Sequence, residues 1–483
     1  MPELRVHTAE QELVIPFNGS AILYDLIAHL PDAPSRSCAG HGTCGSCAVF
    51  AEGSLSCQPG EDGRVLSCQT RVLGDAQVWL PKRQMMSQIA TRTMGDNFLF
   101  SPIQGTYGAA VDLGTTTIVL ELIRLSDGQT LSVVSCENPQ RVFAADVIGR
   151  MDHALKGKLH VLSAMVQDCI DRLEKEAFVN AGLCEQKADC RIIAGNTTML
   201  YLYEGRNPST LAAAPFEADC LFGQSVDRNF LPPCAGAFVG ADITCAVLAS
   251  GLCEKNETSL LIDVGTNGEI ALWHQGQLTC CATAAGPAFE GCSISCGVGS
   301  VPGAIDKVIV KNGELRYSTI GHATACGLCG SGLIDLIAAL LETEQLDETG
   351  FLEDEVSLAP GVTLTQQDVR QVQLAKAAIA AGIETLLQTA GLNTEAVSTL
   401  FIAGGFGSHL NLQSAARIGL IPESLAGKAV ILGNASLAGA RQLLLSSPSH
   451  QQANAIAHHA ECINLASISS FTNAFVEKML FEA

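Results

Sequence analysis

Two segments of similar design stand about 150 residues apart, Val111-Asp-Leu-Gly-Thr-Thr-Thr117 and Ile262-Asp-Val-Gly-Thr-Asn-Gly-Glu269. Each sets Asp-x-Gly-Thr just after an apolar run. The pattern predicts that Gly and Thr turn a β-hairpin in each copy, with backbone N–H groups and hydroxyls facing phosphates and the aspartate holding Mg2+ directly or through water. The repetition predicts a duplicated half-domain with a cleft between the copies. A third element, Phe401-Ile-Ala-Gly-Gly-Phe-Gly407, offers Gly404 and Gly405 for close backbone approach to an adenosine. The nucleotide-site candidates are therefore Asp112, Gly114, Thr115, Thr116, Thr117, Asp263, Gly265, Thr266, Asn267, Gly268, Glu269, Gly404 and Gly405. The plainer alternative makes each glycine turn an ordinary strand-to-helix corner capped by its aspartate. Complete Walker and Rossmann fingerprints are both absent, so a nucleotide site here must be of another class.

The N-terminal region carries a different chemistry. Cys38-Ala-Gly-His-Gly-Thr-Cys44-Gly-Ser-Cys47 is followed by Cys68, giving three thiolates in a glycine-rich loop and one from farther on. This is the ligand pattern of a [2Fe-2S] cluster. A zinc site more often uses two Cys-x-x-Cys pairs. The tripeptide Ser-Cys-Gln occurs at both Cys57 and Cys68, and Cys68 is the favoured ligand because Val65-Leu66 before it promises a strand returning to the loop. His41, inside the loop, is read as a solvated side chain in preference to a tuning group.

A chain of 483 residues calls for two or three domains. Residues 1–82 have a small α+β pattern, with a strand at Glu12–Pro16 and a helix near Ala21–Leu30; residues 83–105 lack periodicity and are expected to be a linker. Strand and helix then alternate, predicting α/β layers in two lobes, 106–255 and 256–483. Strand candidates are Ala109–Leu122, Ile192–Ala194, Ser259–Ile262, Thr399–Ala403 and Ala429–Leu432. Helices are expected at Leu159–Ala181, Asp368–Thr389 behind a Thr365/Asp368 capping box, and Ala438–Leu445.

The formal charge of −21 argues against nucleic acid or an anionic membrane as the main partner. The first ten residues lack the apolar stretch of a secretory signal, and no apolar run approaches the roughly 18 residues of a membrane span. A cytoplasmic location follows as an expectation, and twenty cysteines then read as metal ligands and reduced thiols.

Asp112–Thr117, Asp263–Glu269, Gly404–Gly407 and Gly433-Asn-Ala-Ser-Leu-Ala-Gly439 resemble the phosphate-1, phosphate-2, adenosine and second connecting motifs of the acetate and sugar kinase, Hsp70 and actin superfamily. That resemblance implies two ribonuclease-H-like lobes closing on ATP and Mg2+. A narrower resemblance rests on Asn138-Pro-Gln-Arg-Val-Phe-Ala-Ala-Asp146, Ala194-Gly-Asn-Thr-Thr-Met199, Gly286-Pro-Ala-Phe-Glu-Gly291 and Cys329-Gly-Ser-Gly-Leu-Ile-Asp335. With the cysteine loop in front, these are similar to the reductive activators of corrinoid-dependent methyltransferases.

The resemblance implies an N-terminal β-grasp ferredoxin-like domain, an ATPase domain, and ATP-dependent passage of single electrons to Co(II) to regenerate Co(I). It further implies a corrinoid protein as partner and a reductase, flavodoxin or ferredoxin as donor. Asp112 and Asp263 would serve Mg2+ and the attacking water, Thr115, Thr116, Thr266 and Asn267 the phosphates, and Gly404 and Gly405 the nucleoside. Long family members carry a further domain before the ATPase part, where this chain has only about 25 residues, and the acceptor therefore stays open. Delivery to another low-potential metalloenzyme and a redox-sensing regulator are the alternatives. Cys280, Cys281, Cys292, Cys296, Cys326 and Cys329 raise the question of a second cluster, as in the dehydratase activators that share this ATPase fold and bridge two subunits with a [4Fe-4S] centre, and with it the question of a homodimer. Small apolar packing is the competing reading.

Overall fold

The structure, a computed structural model, describes residues 2–8, 11–28, 30, 33–34, 47–60, 63–80, 98–184, 186–404 and 410–481. Cys38, His41, Cys44, Gly405, Gly407, His409 and most of the expected linker lie outside them. Among the described residues no helix is long and apolar enough to cross a membrane. Contacts divide the chain into two units, Met1–Met85 with Pro139–Arg150, and Met86–Asn138 with Met151–Ala483.

The first unit is a mixed sheet in the order Glu12–Pro16, Glu3–His7, Arg71–Trp79, Ala48–Leu55, Arg64–Leu66, with Ala21–Ile22 also pairing Arg71–Trp79. Alternation sets one face inward: Leu4 and Val6, Val49 and Ala51, Val72, Ala76 and Val78 pack with Leu23 and Ile27. Each such fully buried leucine, valine or isoleucine contributes roughly 1.5–3 kcal/mol. The expected helix Ala21–Leu30 is corrected to a two-residue strand and a short helix, Leu23–Ile27, because Ala21 and Ile22 pair with Val72 and Arg71. Residues 139–150 fall in this unit although the sequence suggested the first lobe. The reason is apolar, since Val142 packs against Tyr24, Cys47 and Cys68.

The second unit holds two six-stranded sheets of matching design. In the first, the antiparallel strands Tyr107–Leu113, Thr117–Arg124 and Gln129–Glu137 are continued by Cys190–Gly195, parallel to Tyr107–Leu113. In the second, Ser259–Val264, Gly268–His274 and Gln277–Thr283 form the antiparallel part and Thr399–Ala403 runs parallel to Ser259–Val264. Ala109–Leu122, an apolar strand candidate as a whole, is the hairpin that the Gly and Thr of the first Asp-x-Gly-Thr copy were expected to turn, at residues 114–116. Tyr107–Leu113 is buried on nearly every residue, as a strand covered on both faces must be.

Helices cover these sheets. Leu159–Asn180, Gln366–Thr389 and Ala435–Leu445 stand where 3.6-residue spacing predicted them, and the capping box is formed, Thr365 Oγ1 accepting from Asp368 N and Asp368 Oδ2 accepting from Thr365 N at 2.9 Å. Helix Ala435–Leu445 crosses helix Ala241–Ser250 so closely that a Cβ on Gly439 would lie 2.1 Å from the Cys245 carbonyl oxygen. Only glycine permits that approach. Residues 101–103, expected in the linker, bond instead along the helix end, Ser101 N to Leu445 O and Ile103 N to Leu444 O, and Phe98 and Ile103 pack on the neighbouring core.

Candidate functional site

Both Asp-x-Gly-Thr turns open into one cleft of the second unit. Asp112, Gly114, Thr115, Thr116, Thr117, Asp263, Gly265, Thr266, Asn267, Glu269 and Gly404 all line it. Gly268 does not; a Cβ there would meet Thr283 Oγ1 at 2.6 Å and Ile379 Cγ1 at 2.7 Å, so it is a packing glycine.

Each turn is held by groups remote in sequence. Asn138 donates from Nδ2 to the Gly114 carbonyl at 2.8 Å and from its backbone to Thr116 O at 2.8 Å. Asn196 Nδ2 donates to Thr115 Oγ1 at 3.1 Å, while its Oδ1 caps the following helix through Met199 N. Thr116 and Thr266 bring the turns together, hydroxyl to hydroxyl at 2.9 Å, and each donates to Glu290 Oε2, at 2.7 and 2.6 Å. Glu290 ends the short turn Pro287–Glu290, which the Gly286 N–H anchors to Thr266 O.

The floor of the cleft is acidic. Asp112 accepts from Asn434 Nδ2 at 2.8 Å and Ser436 Oγ at 2.9 Å; burial raises its carboxyl pKa against those hydrogen bonds. Burial and then the charges of Asp242, Asp112 and Glu290 push Asp263 up to about 8. Asp242, in the first turn of Ala241–Ser250, is pushed up to about 7, chiefly by burial. Glu269, paired directly across the hairpin from Asp263, is raised well above the usual range for the same reason. With Glu290, five carboxylates face this space, and no lysine or arginine is among the described residues lining it. Carboxylates this crowded favour a divalent cation, through which a polyphosphate could also be held.

Gly404 supports the close-approach reading. Its φ is +121° and an added Cβ would fall 2.4 Å from Val264 O, so the chain passes the second turn without room for a side chain. Gly405 lies outside the described residues.

In the first unit Cys47 and Cys68 are buried with sulfurs 3.2 Å apart. Two thiolates on one iron require such proximity. Strand Arg64–Leu66 pairs with Ala48–Phe50, and Ser67 then clasps the Cys47 carbonyl through both N–H and Oγ, at 3.1 and 2.8 Å. Cys57 is exposed, beside Thr70 Oγ1 at 3.1 Å. Among the described residues no three cysteine, histidine or acidic side chains converge closely enough to hold a metal ion by themselves, either here, where Cys38 and Cys44 lie outside them, or in the cleft, where the five carboxyl groups are spread along the lining and phosphate or water would have to complete a cation's shell. The later cysteines stay dispersed: Cys329 contacts Ile305 O and Ser331, Cys326 the Pro302 carbonyl.

Sequence reasoning assigned no role to Asn196, Asp242, Glu290, Asn434 or Ser436. Four of them sit inside motifs noted for resemblance alone. Asp242 had a weaker signal, a glycine followed by an acid at a helix start.

Two family models match the chain. Residues 107–255 match the RACo middle region, and residues 257–483 the C-terminal domain of RACo, described as the ASKHA domain. The corrinoid activation enzyme RamQ of Eubacterium limosum is 32% identical over 418 residues, covering 78% of this chain and 70% of that protein. A Co(II) methylated amine-specific corrinoid protein reductase of Methanosarcina barkeri is 28% identical over 419 residues, with 77% and 76% covered. A solved structure of a reductive activator for corrinoid, iron-sulfur protein superposes with a TM-score of 0.75 at 26% identity, covering 99% of this chain and 98% of that one.

Proposed function

The chain belongs to the reductive activators of corrinoid proteins, and from that membership we propose that it passes single electrons from an N-terminal [2Fe-2S] centre to the Co(II) of a corrinoid protein, regenerating Co(I) with the help of MgATP. The observation that carries the ATP-dependent part is the meeting of Thr116, Thr266 and Glu290, which joins the two phosphate-facing turns at one point.

In this reading Cys38, Cys44, Cys47 and Cys68 hold the cluster. When bound, it supplies one-electron chemistry at a potential near about −400 mV, as in plant-type ferredoxins. The buried walls formed by Tyr24, Leu66 and Val142 keep water from the Cys47 and Cys68 sulfurs. A reductase, flavodoxin or ferredoxin would refill the site from outside.

In the second unit, Asp263, with Asp242 and Glu269 behind it, would balance the charge of Mg2+, losing its proton as the cation arrives. Asp112, held by Asn434 and Ser436, would help to hold the cation or its water shell. The hydroxyls of Thr115, Thr116 and Thr266 and the amide of Asn267 would contact the phosphates, and Gly404 and Gly405 leave space for the nucleoside. Since phosphate entering between Thr116 and Thr266 must displace their bonds to Glu290, nucleotide changes how the two sheets are joined. A ligand that interacts differently with two arrangements shifts their balance, which is how binding can favour an electron-delivering state.

The test is anaerobic. The cluster-loaded protein, a Co(II) corrinoid protein from a methyltransferase system and a low-potential donor are mixed, and Co(II) loss is followed spectroscopically with and without MgATP. MgATP-dependent loss that disappears in Asp263→Ala and Cys68→Ser supports the reading. Persistent Co(II) across several corrinoid proteins, with normal reduction of the cluster, rejects its corrinoid part.

A further inference from the structure

Cys136 and Cys169 face each other at 3.0 Å between sulfurs, one near the end of strand Gln129–Glu137 and the other on helix Leu159–Asn180. Cys136 is half-buried and Cys169 is 3% exposed. The Arg172 guanidinium, one helical turn on, donates to the Cys169 sulfur at 3.6 Å. A neighbouring cation favours the thiolate, the form that attacks a disulfide. Closing 3.0 Å to a bond of about 2.05 Å needs a shift of about 1 Å, within reach of side-chain rotation.

We propose that Cys136 and Cys169 form a redox-active dithiol, converted to a disulfide by a small-molecule disulfide of the glutathione class. The more accessible Cys136 thiolate attacks one sulfur of the small disulfide, whose S–S bond breaks and releases one thiol. The Cys169 thiolate then attacks the Cys136 sulfur of the mixed disulfide, forming the internal bond and releasing the second thiol. Two electrons leave the two cysteines, and the two released thiols carry the two protons.

The position gives this bond a place to act. Asn138, two residues past Cys136, holds Gly114 and Thr116 of the first phosphate-facing turn. The loop that the bond would close, residues 137–168, also contains 139–150, whose Val142 packs on Cys47 and Cys68. Oxidation therefore staples the chain two residues before Asn138, beside the first phosphate-facing turn. The chemistry is independent of the acceptor proposed above, and its test reads sulfur alone.

The full-length, anaerobically prepared protein is equilibrated with excess oxidised glutathione, quenched by alkylation and mapped by peptide mass, while the visible spectrum reports the state of the cluster. A peptide joining Cys136 to Cys169, lost on reduction with dithiothreitol, is expected. Cys169→Ser should stop at a glutathione adduct on Cys136, and Cys136→Ser should leave Cys169 open to alkylation after unfolding. Wild-type protein in which both thiols are alkylated, or in which the Cys136 adduct persists without closing, would overturn the proposal. Both outcomes are legible whether or not the protein reduces cobalt.

Discussion

The hydroxyls of Thr116 and Thr266 stand 2.9 Å apart and both donate to one oxygen of Glu290. Each threonine is buried, so removing their common acceptor leaves two donors without it. Glu290→Ala should lower stability by about 1–3 kcal/mol. Adding Thr116→Val and Thr266→Val to that variant should recover part of the loss, because the stranded hydroxyls go with their acceptor. Thermal unfolding of the three proteins measures this; a Glu290→Ala variant as stable as the parent would remove the carboxylate from the joint.

Asp263 gives the nucleotide site a pH dependence of defined sign. Its pKa is raised from 3.8 to about 8, so the unliganded protein holds a proton that Mg2+ must displace. MgATP affinity should climb as pH rises toward 8, by at most about tenfold per unit, and level off above it. Calorimetry in buffers of different ionisation heat should register proton release near neutrality. The unliganded fold behaves oppositely: it binds this proton more tightly than the unfolded chain does, so stability from this group falls as pH rises from about 4 to about 8. Asp263→Asn should flatten both curves.

Cys57 and Cys68 share a local sequence and differ in surroundings. Cys68→Ser should abolish the iron content and visible absorption of reconstituted protein, whereas Cys57→Ser should keep both. Equal loss in the two variants would mean that the buried contact between Cys47 and Cys68 does not mark the ligand pair.

Gly439 is fixed by geometry. Gly439→Ala drives a methyl group against the Cys245 carbonyl and pushes helix Ala435–Leu445 outward, at a cost of about 1–3 kcal/mol. The same helix carries Ser436, whose hydroxyl bonds Asp112, so nucleotide affinity should fall together with the unfolding temperature.

Much of the second unit was legible because it is written locally. The Asp-x-Gly-Thr turns, the capping box at Thr365 and the spacing of Gln366–Thr389 are short-range signals. Within Ala109–Leu122 only the Asp-x-Gly-Thr motif marks the hairpin, because both arms are buried on both faces and show no alternation that would bound the strands. Glu290 and Asn434 sit in motifs quoted for resemblance, but their bonds to Thr116 and Asp112 join residues far apart in the chain, and no local signal states those pairings. Cys136 and Cys169, 33 residues apart, form no motif at all. Their meeting depends on the register between a strand and a helix.

The cleft presents five carboxylates and, among the described residues lining it, no cationic side chain. Uncomplexed ATP would therefore meet no compensating side-chain cation there, and once Asp263 and its acidic neighbours lose their protons it would meet like charge as well. The protein would accordingly count metal-bound nucleotide rather than total nucleotide. A cell short of free magnesium would see cobalt repair slow down even with its adenylate pool full.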